Sequence, residues 1–232
     1  MKLAIMQPYF MPYLGYFQLM AKADRFILLD DVNFISRGWI NRNRLLIRGE
    51  PFLFTLPLNN ASQHRRITDL TLCETVPWRR KLLRTIDQAY RTAPFHDQIQ
   101  PVLEQIIATP SDNLAEFIAR SLQALQTYLR LDCTFGSTSC EHPDRSLSGQ
   151  DRIIDICLRE QARTYLNLPG GRLLYQAATF ERQHVDLRFL ENRLQPYRQF
   201  GTAFVPNLSI IDVLMFNGRE ETRALIDSAE FS

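Results

Sequence analysis

The first 30 residues contain a strand, a helix and a second strand, and this order constrains the fold more than any other feature. Lys2–Gln7 is a short apolar run that ends at Pro8, which predicts a buried strand. Gly15–Lys22 predicts a helix, and Arg25–Leu29 predicts the second strand. Because parallel strands need a crossover connection, this order indicates a βαβ unit. We therefore expect an α/β fold with a Rossmann-like parallel sheet at the N-terminus.

Helical periodicity dominates the middle of the chain, so we expect residues 78–130 to form a helical subdomain, inserted in or appended to the sheet. No Gly- or Ser-rich linker is present, and residues 1–232 are therefore expected to form a single domain. The predicted helices are Trp78–Tyr90, Phe95–Ala108 and a third that is N-capped by Ser111 and carries an apolar stripe from Leu114 to Leu129.

Further elements are predicted on both sides of this helical region. A hairpin is expected around Gly49, a helix is expected to begin with a capping box of Ser148 and Asp151, and a late helix is expected to stop at Gly218. The predicted strands are Leu45–Ile47, Phe52–Leu56, Leu70–Cys73, Asp132–Phe135, Thr164–Leu166 and Val185–Leu190, and the two helices are Arg152–Gln161 and Ser209–Phe216.

Positive charge is concentrated in one part of the chain. The whole chain has a formal net charge of +2, which argues against a dedicated nucleic-acid binder. Residues 36–91 contain 11 Lys/Arg, ten of them Arg, and 4 Asp/Glu, for a net charge of +7. This segment is either a solvated basic face or a site for an anionic small molecule, such as a nucleotide sugar or a phosphorylated metabolite.

Polar side chains follow the first two predicted strands. Gln7 and Tyr9 lie at the end of the first strand, and Asp30 and Asp31 come after the second. Since ligands of parallel α/β sheets bind beyond the carboxyl ends of strands, these residues are candidates for a site. A glutamine amide can bind a carbonyl or a base edge, and paired carboxylates can orient a hydroxyl, bind Mg²⁺ or act as a base. The alternative is that they satisfy backbone groups of a turn.

Asparagine and arginine alternate at residues 41–44. On a strand, Asn41 and Asn43 would share one face, while Arg42 and Arg44 would share the other. So many hydrogen-bond donors are costly to bury without partners. The pattern therefore predicts that the segment either faces water or binds an anion.

Two later segments are further candidates. Residues 165–175 include Asn167, the adjacent Gly170 and Gly171, and Tyr175, and such a glycine turn can offer backbone N–H groups to an anion. Asp212 lies one turn into an apolar helix. It has either a structural role, as a charge at the helix start or as an ion-pair partner of an arginine, or a role as a catalytic base.

Several classes of function lack their sequence signatures. The chain has no GxGxxG, P-loop or GxSxG motif, and the identity of any cofactor stays unknown. The four histidines are dispersed without HExxH spacing, so no metal site is predicted. No apolar run is long enough to span a bilayer, and the start does not resemble a signal peptide. Four scattered cysteines without CxxC spacing indicate reduced core thiols. A cytoplasmic location is therefore expected.

Three segments resemble the WbqC-like protein family: residues 4–46 (AIMQPYFMPYLGYFQLMAKADRFILLDDVNFISRGWINRNRLL), 165–175 (YLNLPGGRLLY) and 207–218 (NLSIIDVLMFNG). The family is associated with bacterial O-antigen and other surface-polysaccharide gene clusters. Its members are described as transferases, and a glycyl or other aminoacyl transfer to a sugar amine has been suggested. The resemblance implies roles for the positions that match its motifs: Gln7, Pro8, Asp30, Asp31, Asn41, Arg42, Asn43, Asn167, Gly170, Gly171, Tyr175, Ser209 and Asp212.

A second resemblance concerns topology. Tyr13-Leu14-Gly15-Tyr16, between the first strand and its helix, is similar in position to the first motif of HIGH-type nucleotide-binding enzymes, with tyrosines in place of both histidines. Three hypotheses therefore remain. They are a group transferase acting on an anionic nucleotide-linked sugar, an ATP-dependent adenylate-forming ligase or nucleotidyltransferase, and a non-catalytic binding module for a sugar nucleotide or a partner.

Overall fold

Five parallel strands form the central sheet of the computed structural model, which describes residues 1–142, 144, 146–191 and 195–232. In chain order the strands are β1 Lys2–Met6, β2 Arg25–Leu28, β3 Arg42–Ile47, β4 Glu50–Thr55, β5 Leu58–Asn59, β6 Thr71–Leu72, β7 Thr134–Thr138, β8 Thr164–Asn167 and β9 Asp186–Phe189. The helices are α1 Leu14–Lys22, α2 Trp78–Tyr90, α3 His96–Ala108, α4 Leu114–Tyr128, α5 Gly149–Arg159, α6 Ala177–Glu181 and α7 Ile210–Asp227.

The strand order is β7-β2-β1-β8-β9, with every neighbouring pair parallel. The chain moves outward from β1 through β2 to β7, and then returns to the other side of β1 for β8 and β9. The direction of the strand order therefore reverses between β1 and β8, as in Rossmann-like sheets. This topology confirms the predicted α/β class and the parallel sheet at the N-terminus. We call the carboxyl end of the sheet, where the segments after the strands meet, the carboxyl edge.

Apolar side chains of the strands alternate between two layers of helices. Ala4 packs in one hydrophobic cluster, whereas Leu3 and Ile5 pack in another on the opposite face of the sheet. The first cluster contains residues of α1, α7 and α2–α4, and the second contains residues of α5 and α6. Helices α2–α4 thus share one core with α1 and α7. That residues 78–130 form a distinct subdomain remains a prediction.

The predicted hairpin is present as β3 and β4, which are joined by Arg48 and Gly49. Both residues have positive φ, of 54° and 82°, as expected for the tight turns that match the twist of a hairpin. The hairpin lies in the chain segment between β2 and β7, and its position beside the sheet brings residues 41–44 to the carboxyl edge. Within the described residues, no helix is long and apolar enough to cross a bilayer.

Three predictions about helix ends are wrong or incomplete. Asn113, rather than Ser111, is the N-cap of α4, and its side chain accepts a hydrogen bond from the Glu116 amide at 3.0 Å. Ser148 does occupy the N-cap of α5, but its side chain makes no capping hydrogen bond. Gly218 interrupts helical geometry with φ of 63°, yet α7 resumes after the kink and continues to Asp227. These ends depend on local geometry that residue types alone do not determine.

The cysteine prediction also needs correction. The four cysteines form no disulfide with one another, but Cys140 is exposed and Cys73 is half-buried, so only Cys133 and Cys157 are core residues. Burial raises the pKa of both core thiols to about 12, which keeps them protonated at neutral pH.

Candidate functional site

A cavity of about 330 Å³ opens at the carboxyl edge, where the segments after β1 and β8 diverge. We call it the switch-point cavity, because the strand order reverses between these two strands. In parallel α/β sheets this crevice is the usual place for a ligand. The cavity is lined by Tyr9, Pro12, Tyr13, Trp39, Asn43, Arg44, Pro169, Gly170, Leu190 and Asn207.

Arg44 supplies the positive charge of the switch-point cavity. Its guanidinium lies over the Trp39 ring at 5.2 Å from the centroid, and its Nη2 donates to the Asn207 carbonyl at 3.1 Å. The Nε of Arg44 is buried and has no hydrogen-bond partner among the described residues. No described carboxylate lies within ion-pair distance of this side chain. An uncompensated cation with an unused donor is suited to bind an anion.

Arg44 reaches the cavity because its neighbour Asn43 is tied to the backbone. The Asn43 side chain is buried, where its Nδ2 donates to the Met11 carbonyl at 2.7 Å and its Oδ1 accepts from the Arg44 amide at 2.8 Å. These bonds join β3 to the segment that follows β1. The Ser209 amide donates to the Arg44 carbonyl at 2.9 Å, which fixes the same strand from the opposite side.

Three aromatic side chains, Tyr9, Tyr13 and Trp39, give the cavity flat apolar surfaces. Burial raises the pKa of Tyr9, and burial together with the neighbouring Tyr9 raises the pKa of Tyr13 to about 12. Both hydroxyls are therefore neutral at pH 7 and can donate or accept hydrogen bonds. Aromatic faces beside a guanidinium are suited to a ligand with a ring and a phosphate.

Burial alternates along residues 41–44 as predicted, with Asn41 just before β3 and the other three residues on it, but the two faces have different roles. Arg42 Nε donates to the Gly38 carbonyl at 2.7 Å, and its guanidinium lies 5.7 Å from the Trp39 centroid. Asn41 is buried and donates to the Leu56 carbonyl at 2.8 Å, so it holds the end of the hairpin. Gln7, after β1, contributes a backbone contact, since its carbonyl accepts from the Tyr16 hydroxyl at 3.0 Å.

The glycine turn after β8 differs from the expectation that both glycines offer N–H groups. The Gly171 amide donates to the Leu168 carbonyl at 2.9 Å within the 3₁₀ helix Pro169–Leu173, so it is not available to a ligand. Asn167 is buried, donates to the Tyr165 hydroxyl at 3.1 Å and accepts from the Leu168 amide at 2.7 Å. Within this turn Gly170 lines the switch-point cavity.

We expect Gly171→Ala to destabilise the protein by about 1–3 kcal/mol, because the added methyl group overpacks the turn. A Cβ at Gly171 would lie 2.7 Å from Nδ2 of Asn167, whereas a Cβ at Gly170 would meet no atom within 4 Å. Gly170→Ala is therefore the matched control for stability. Urea unfolding of both variants measures the difference, and equal stabilities would contradict the close packing of Gly171 against Asn167.

Asp30 and Asp31 lie beside β7 and share one serine. The backbone amide of Asp30 donates to Ser139 Oγ at 3.1 Å, and the Ser139 hydroxyl is within hydrogen-bond distance of a carboxyl oxygen of each aspartate. Asp31 is also paired with Arg152 of α5 at 3.2 Å. Burial raises the pKa of Asp30, and the nearby charge of Asp31 raises it further, against the opposing hydrogen bonds from Ser139, its own backbone and Cys140.

A second cavity of about 350 Å³ lies next to this carboxylate pair at the same edge of the sheet. Its lining includes Asp31, Arg66, Arg152 and Tyr175. Among the described residues, no group of three or more His, Cys, Asp or Glu side chains is arranged to hold a metal ion. The carboxylate pair therefore lies beside a cavity whose lining includes the guanidinium groups of Arg66 and Arg152.

We expect Asp30→Asn to change how stability depends on pH. Because the folded-state pKa of Asp30 is raised, its contribution to stability is complete below its unfolded pKa of about 3.9 and declines as the pH rises through the folded pKa. The unfolding free energy of the wild type, relative to Asp30→Asn, should fall by about 1.4 kcal/mol for each pH unit between the two values. Urea unfolding from pH 4 to pH 7 measures this slope.

The control for this experiment is Asp112→Asn, since Asp112 is exposed and its side chain makes no hydrogen bond or ion pair within the described residues. It should leave the pH dependence of the wild type unchanged. If the wild type and Asp30→Asn show parallel stability profiles, the raised pKa of Asp30 is contradicted.

The Asp212 side chain is fully buried and accepts hydrogen bonds from three donors. Its carboxylate accepts from the Tyr90 hydroxyl at 2.9 Å, the Tyr197 hydroxyl at 2.7 Å and the Gln199 side-chain amide at 2.7 Å. Burial raises its pKa in spite of these hydrogen bonds. Asp212 therefore has the surroundings of a structural residue, which was one of the two readings of the sequence.

The structure thus divides the predicted site residues. Tyr9, Asn43, Arg44 and Gly170 line the switch-point cavity, and Asp31 and Tyr175 line the second cavity. The buried members of the predicted set support the backbone around these cavities: Asp30, Asn41, Asn167, Gly171 and Asp212.

Sequence reasoning assigned no role to several residues around the two cavities. Trp39 and Tyr13 lie within or beside the quoted motifs, and an aromatic residue next to the Asn/Arg alternation was the available signal. Arg66 belongs to the basic segment 36–91 and Asn207 opens the motif 207–218, but neither was singled out. Nothing local indicated Leu190, Ser139 and Arg152, because they come from distant segments.

Comparison with known proteins gives one family and one relative. The model of the WbqC-like protein family matches residues 7–224. The "Uncharacterized protein Rv1507c" of Mycobacterium tuberculosis (strain ATCC 25618 / H37Rv) is 27% identical over 223 residues, which cover 94% of this chain and 95% of that protein. No solved structure matches the chain.

Proposed function

The chain belongs to the WbqC-like protein family, and from this premise we propose that it is a group transferase that binds a phosphorylated or nucleotide-linked sugar in the switch-point cavity. The observation that carries the proposal is Arg44. This guanidinium has a buried Nε without a partner, no described carboxylate beside it, and the Trp39 ring beneath it.

Three physical arguments support this ligand class. The switch point of a parallel sheet is a preferred ligand site, and about 330 Å³ lies at the lower end of the usual range for small-molecule pockets. An arginine binds phosphate or carboxylate through two parallel N–H groups. The exposed Trp39 ring, with Tyr9 and Tyr13, can stack on a base or on the apolar face of a sugar.

The second cavity is proposed to hold the acyl donor, because the sugar in the switch-point cavity is itself the acceptor in a transfer to a sugar amine. In a glycyl or other acyl transfer, the sugar amine would form the new C–N bond, the leaving group would take the electron pair of its bond to the acyl carbon, and a base would receive the amine proton. Asp31 lines this cavity, and Asp30 lies behind it with a raised pKa. We assign this pair to orient the acceptor or to take its proton. The pathway proposed is biosynthesis of a bacterial surface polysaccharide such as O-antigen.

Thermal-shift measurements with UDP-N-acetylglucosamine, UDP, ATP and inorganic phosphate test the proposal. A ligand at about one hundred times its Kd adds about 2.7 kcal/mol of stability, which corresponds to a rise in Tm of roughly 5–10 °C for a chain of this size. We expect the nucleotide sugar to give the largest rise, with a change in the fluorescence of the exposed Trp39. Trp78 is buried and should give a constant background.

Two outcomes would contradict the proposal. If none of the four compounds raises Tm, the switch-point cavity does not bind an anion of this class. If only ATP does so, and pyrophosphate is released with an added acid substrate, the protein is an adenylate-forming ligase instead.

A further inference from the structure

Two adjacent leucines protrude from the carboxyl edge. Leu173 is 94% exposed and Leu174 is 70% exposed, which makes them the most exposed large apolar side chains in the described part of the chain. They lie at the end of the 3₁₀ helix Pro169–Leu173, which begins two residues after β8. Single exposed leucines are common on protein surfaces, but a neighbouring pair on a short turn is a larger apolar surface than the fold itself requires.

We call such an exposed apolar group on a loop or turn an apolar tip. Leu173 and Leu174 form the first tip, and a second tip lies on the loop that follows β2. Ile35 is 51% exposed and Trp39 is 42% exposed. Trp39 and Gly170 line the same cavity, so this loop and the turn that carries the leucines are neighbours across its mouth. The carboxyl edge therefore presents two apolar tips, one on each side of the switch-point cavity.

The charges on these two segments have one sign. Residues 33–39 and 169–175 contain two charged residues, Arg37 and Arg172, and no acidic residue. Both arginines are exposed. One nitrogen of Arg172 donates to the Ser232 hydroxyl at 2.6 Å, and its other guanidinium nitrogens make no hydrogen bond within the described residues. Arg66 is exposed as well and lines the second cavity nearby, where Asp31 is paired with Arg152. Apolar tips bordered by arginines match the boundary of an anionic bilayer, where leucines enter the acyl region and guanidinium groups contact lipid phosphates.

We propose that the carboxyl edge docks reversibly on the surface of an anionic lipid bilayer, with Leu173, Leu174 and Ile35 entering it and Arg37 and Arg172 bound to lipid phosphates. The mouth of the switch-point cavity then faces the lipid surface. This inference rests on exposure and charge and does not depend on the identity of the ligand in the cavity.

A second copy of the chain fits the same surface less well. A two-fold interface places a patch against itself, so Arg37 and Arg172 would meet like charges. Both tips also protrude rather than form a groove, and a bilayer accepts protruding side chains without a complementary pocket. Charge complementarity thus favours lipid over self-association.

Co-sedimentation of the full chain with phosphatidylcholine vesicles, with and without 30% phosphatidylglycerol, tests the proposal. We expect binding to the anionic vesicles that weakens as salt rises, together with a blue shift of Trp39 fluorescence. Leu173→Ser/Leu174→Ser should reduce the partition coefficient at least tenfold, because two leucines no longer enter the bilayer. Arg37→Gln/Arg172→Gln should reduce it several-fold and flatten its salt dependence.

The matched control is Leu158→Ser. Leu158 is 47% exposed in the last turn of α5, which ends where β8 begins, so it lies at the amino end of the sheet. This variant should bind vesicles as the wild type does. All variants change exposed residues, and circular dichroism with Tm values checks that each is folded.

Three results would overturn the proposal. The first is no sedimentation with anionic vesicles at 0.1 M salt or below. The second is binding that the two leucine substitutions do not weaken. The third is a change of oligomeric state in Leu173→Ser/Leu174→Ser without any vesicle binding by the wild type, which would assign the patch to a protein contact. None of these results bears on whether a nucleotide sugar binds in the cavity.

Discussion

Replacing Arg44 by alanine is expected to weaken the binding of a phosphorylated or nucleotide-linked sugar about 10- to 100-fold. A hydrogen bond to a charged group contributes about 1.5–3 kcal/mol, and each 1.4 kcal/mol is a factor of ten in Kd. Arg44 offers the cavity an uncompensated charge and an unused Nε–H donor, and its loss leaves the aromatic walls without their cation. Isothermal titration of the wild type and variant with the nucleotide sugar measures the change.

Two further variants make this experiment specific. Arg84→Ala removes an exposed arginine from α2, so it changes the net charge equally and should leave Kd unchanged. Arg44→Lys retains the charge but loses the planar pair of donors, and should give an intermediate Kd. Tm values check that the loss of the Arg44 bond to the Asn207 carbonyl has not unfolded the loop. A Kd for Arg44→Ala within twofold of the wild type would contradict the role of this arginine.

The parallel sheet was predictable because the sequence patterns that indicate it lie within a short segment of the chain. Lys2–Met6 and Arg25–Leu28 are short apolar runs on either side of a helix, and the βαβ rule then fixes their relative direction. The reversal of strand order between β1 and β8 was not predictable in this way. It depends on where the chain returns to the sheet after β7, which is decided by the packing of α5 on the face of the sheet opposite α1 and α7.

The same limit applies to the candidate site. Alternation on a strand correctly separates Arg42 and Arg44 from Asn41 and Asn43, but it cannot say which of them borders a cavity. In the structure Asn43 and Arg44 both reach the switch-point cavity, since the hairpin ends against the segment after β1. The second cavity combines Asp31 with Arg152 of α5, and no spacing in the sequence relates residues so far apart.

Gly171 shows how a residue type can be singled out correctly for the wrong reason. The adjacent glycines suggested free N–H groups, but the amide of Gly171 is used within its own turn. Glycine is required there because a Cβ would lie 2.7 Å from Nδ2 of Asn167 and 3.2 Å from the Phe189 ring. The sequence indicates that a small residue is needed, while the neighbour that excludes a side chain is known only after folding.

Asp212→Ala is expected to lower the free energy of unfolding by about 3–5 kcal/mol and Tm by roughly 10 °C. The substitution removes the acceptor shared by Tyr90, Tyr197 and Gln199 and leaves their donors buried without it. Each unsatisfied buried donor costs about 1–3 kcal/mol. Asp227→Ala is the matched control, because Asp227 ends the same helix in an exposed pair with Arg223 and should cost less than about 1 kcal/mol. Urea unfolding at pH 7 compares them.

Loss of the hydrogen bonds to Asp212 should also weaken ligand binding in the switch-point cavity. The Tyr90 hydroxyl that donates to Asp212 also accepts from the Leu46 amide at 2.9 Å, so the buried carboxylate fixes the strand that carries Arg44. In Asp212→Ala, studied well below its Tm, we expect weaker binding of the nucleotide sugar with all cavity residues intact, whereas Asp227→Ala should bind as the wild type does. Equal stability of Asp212→Ala and the wild type would contradict the buried network. A lower stability with unchanged Kd would show that β3 holds its position without it.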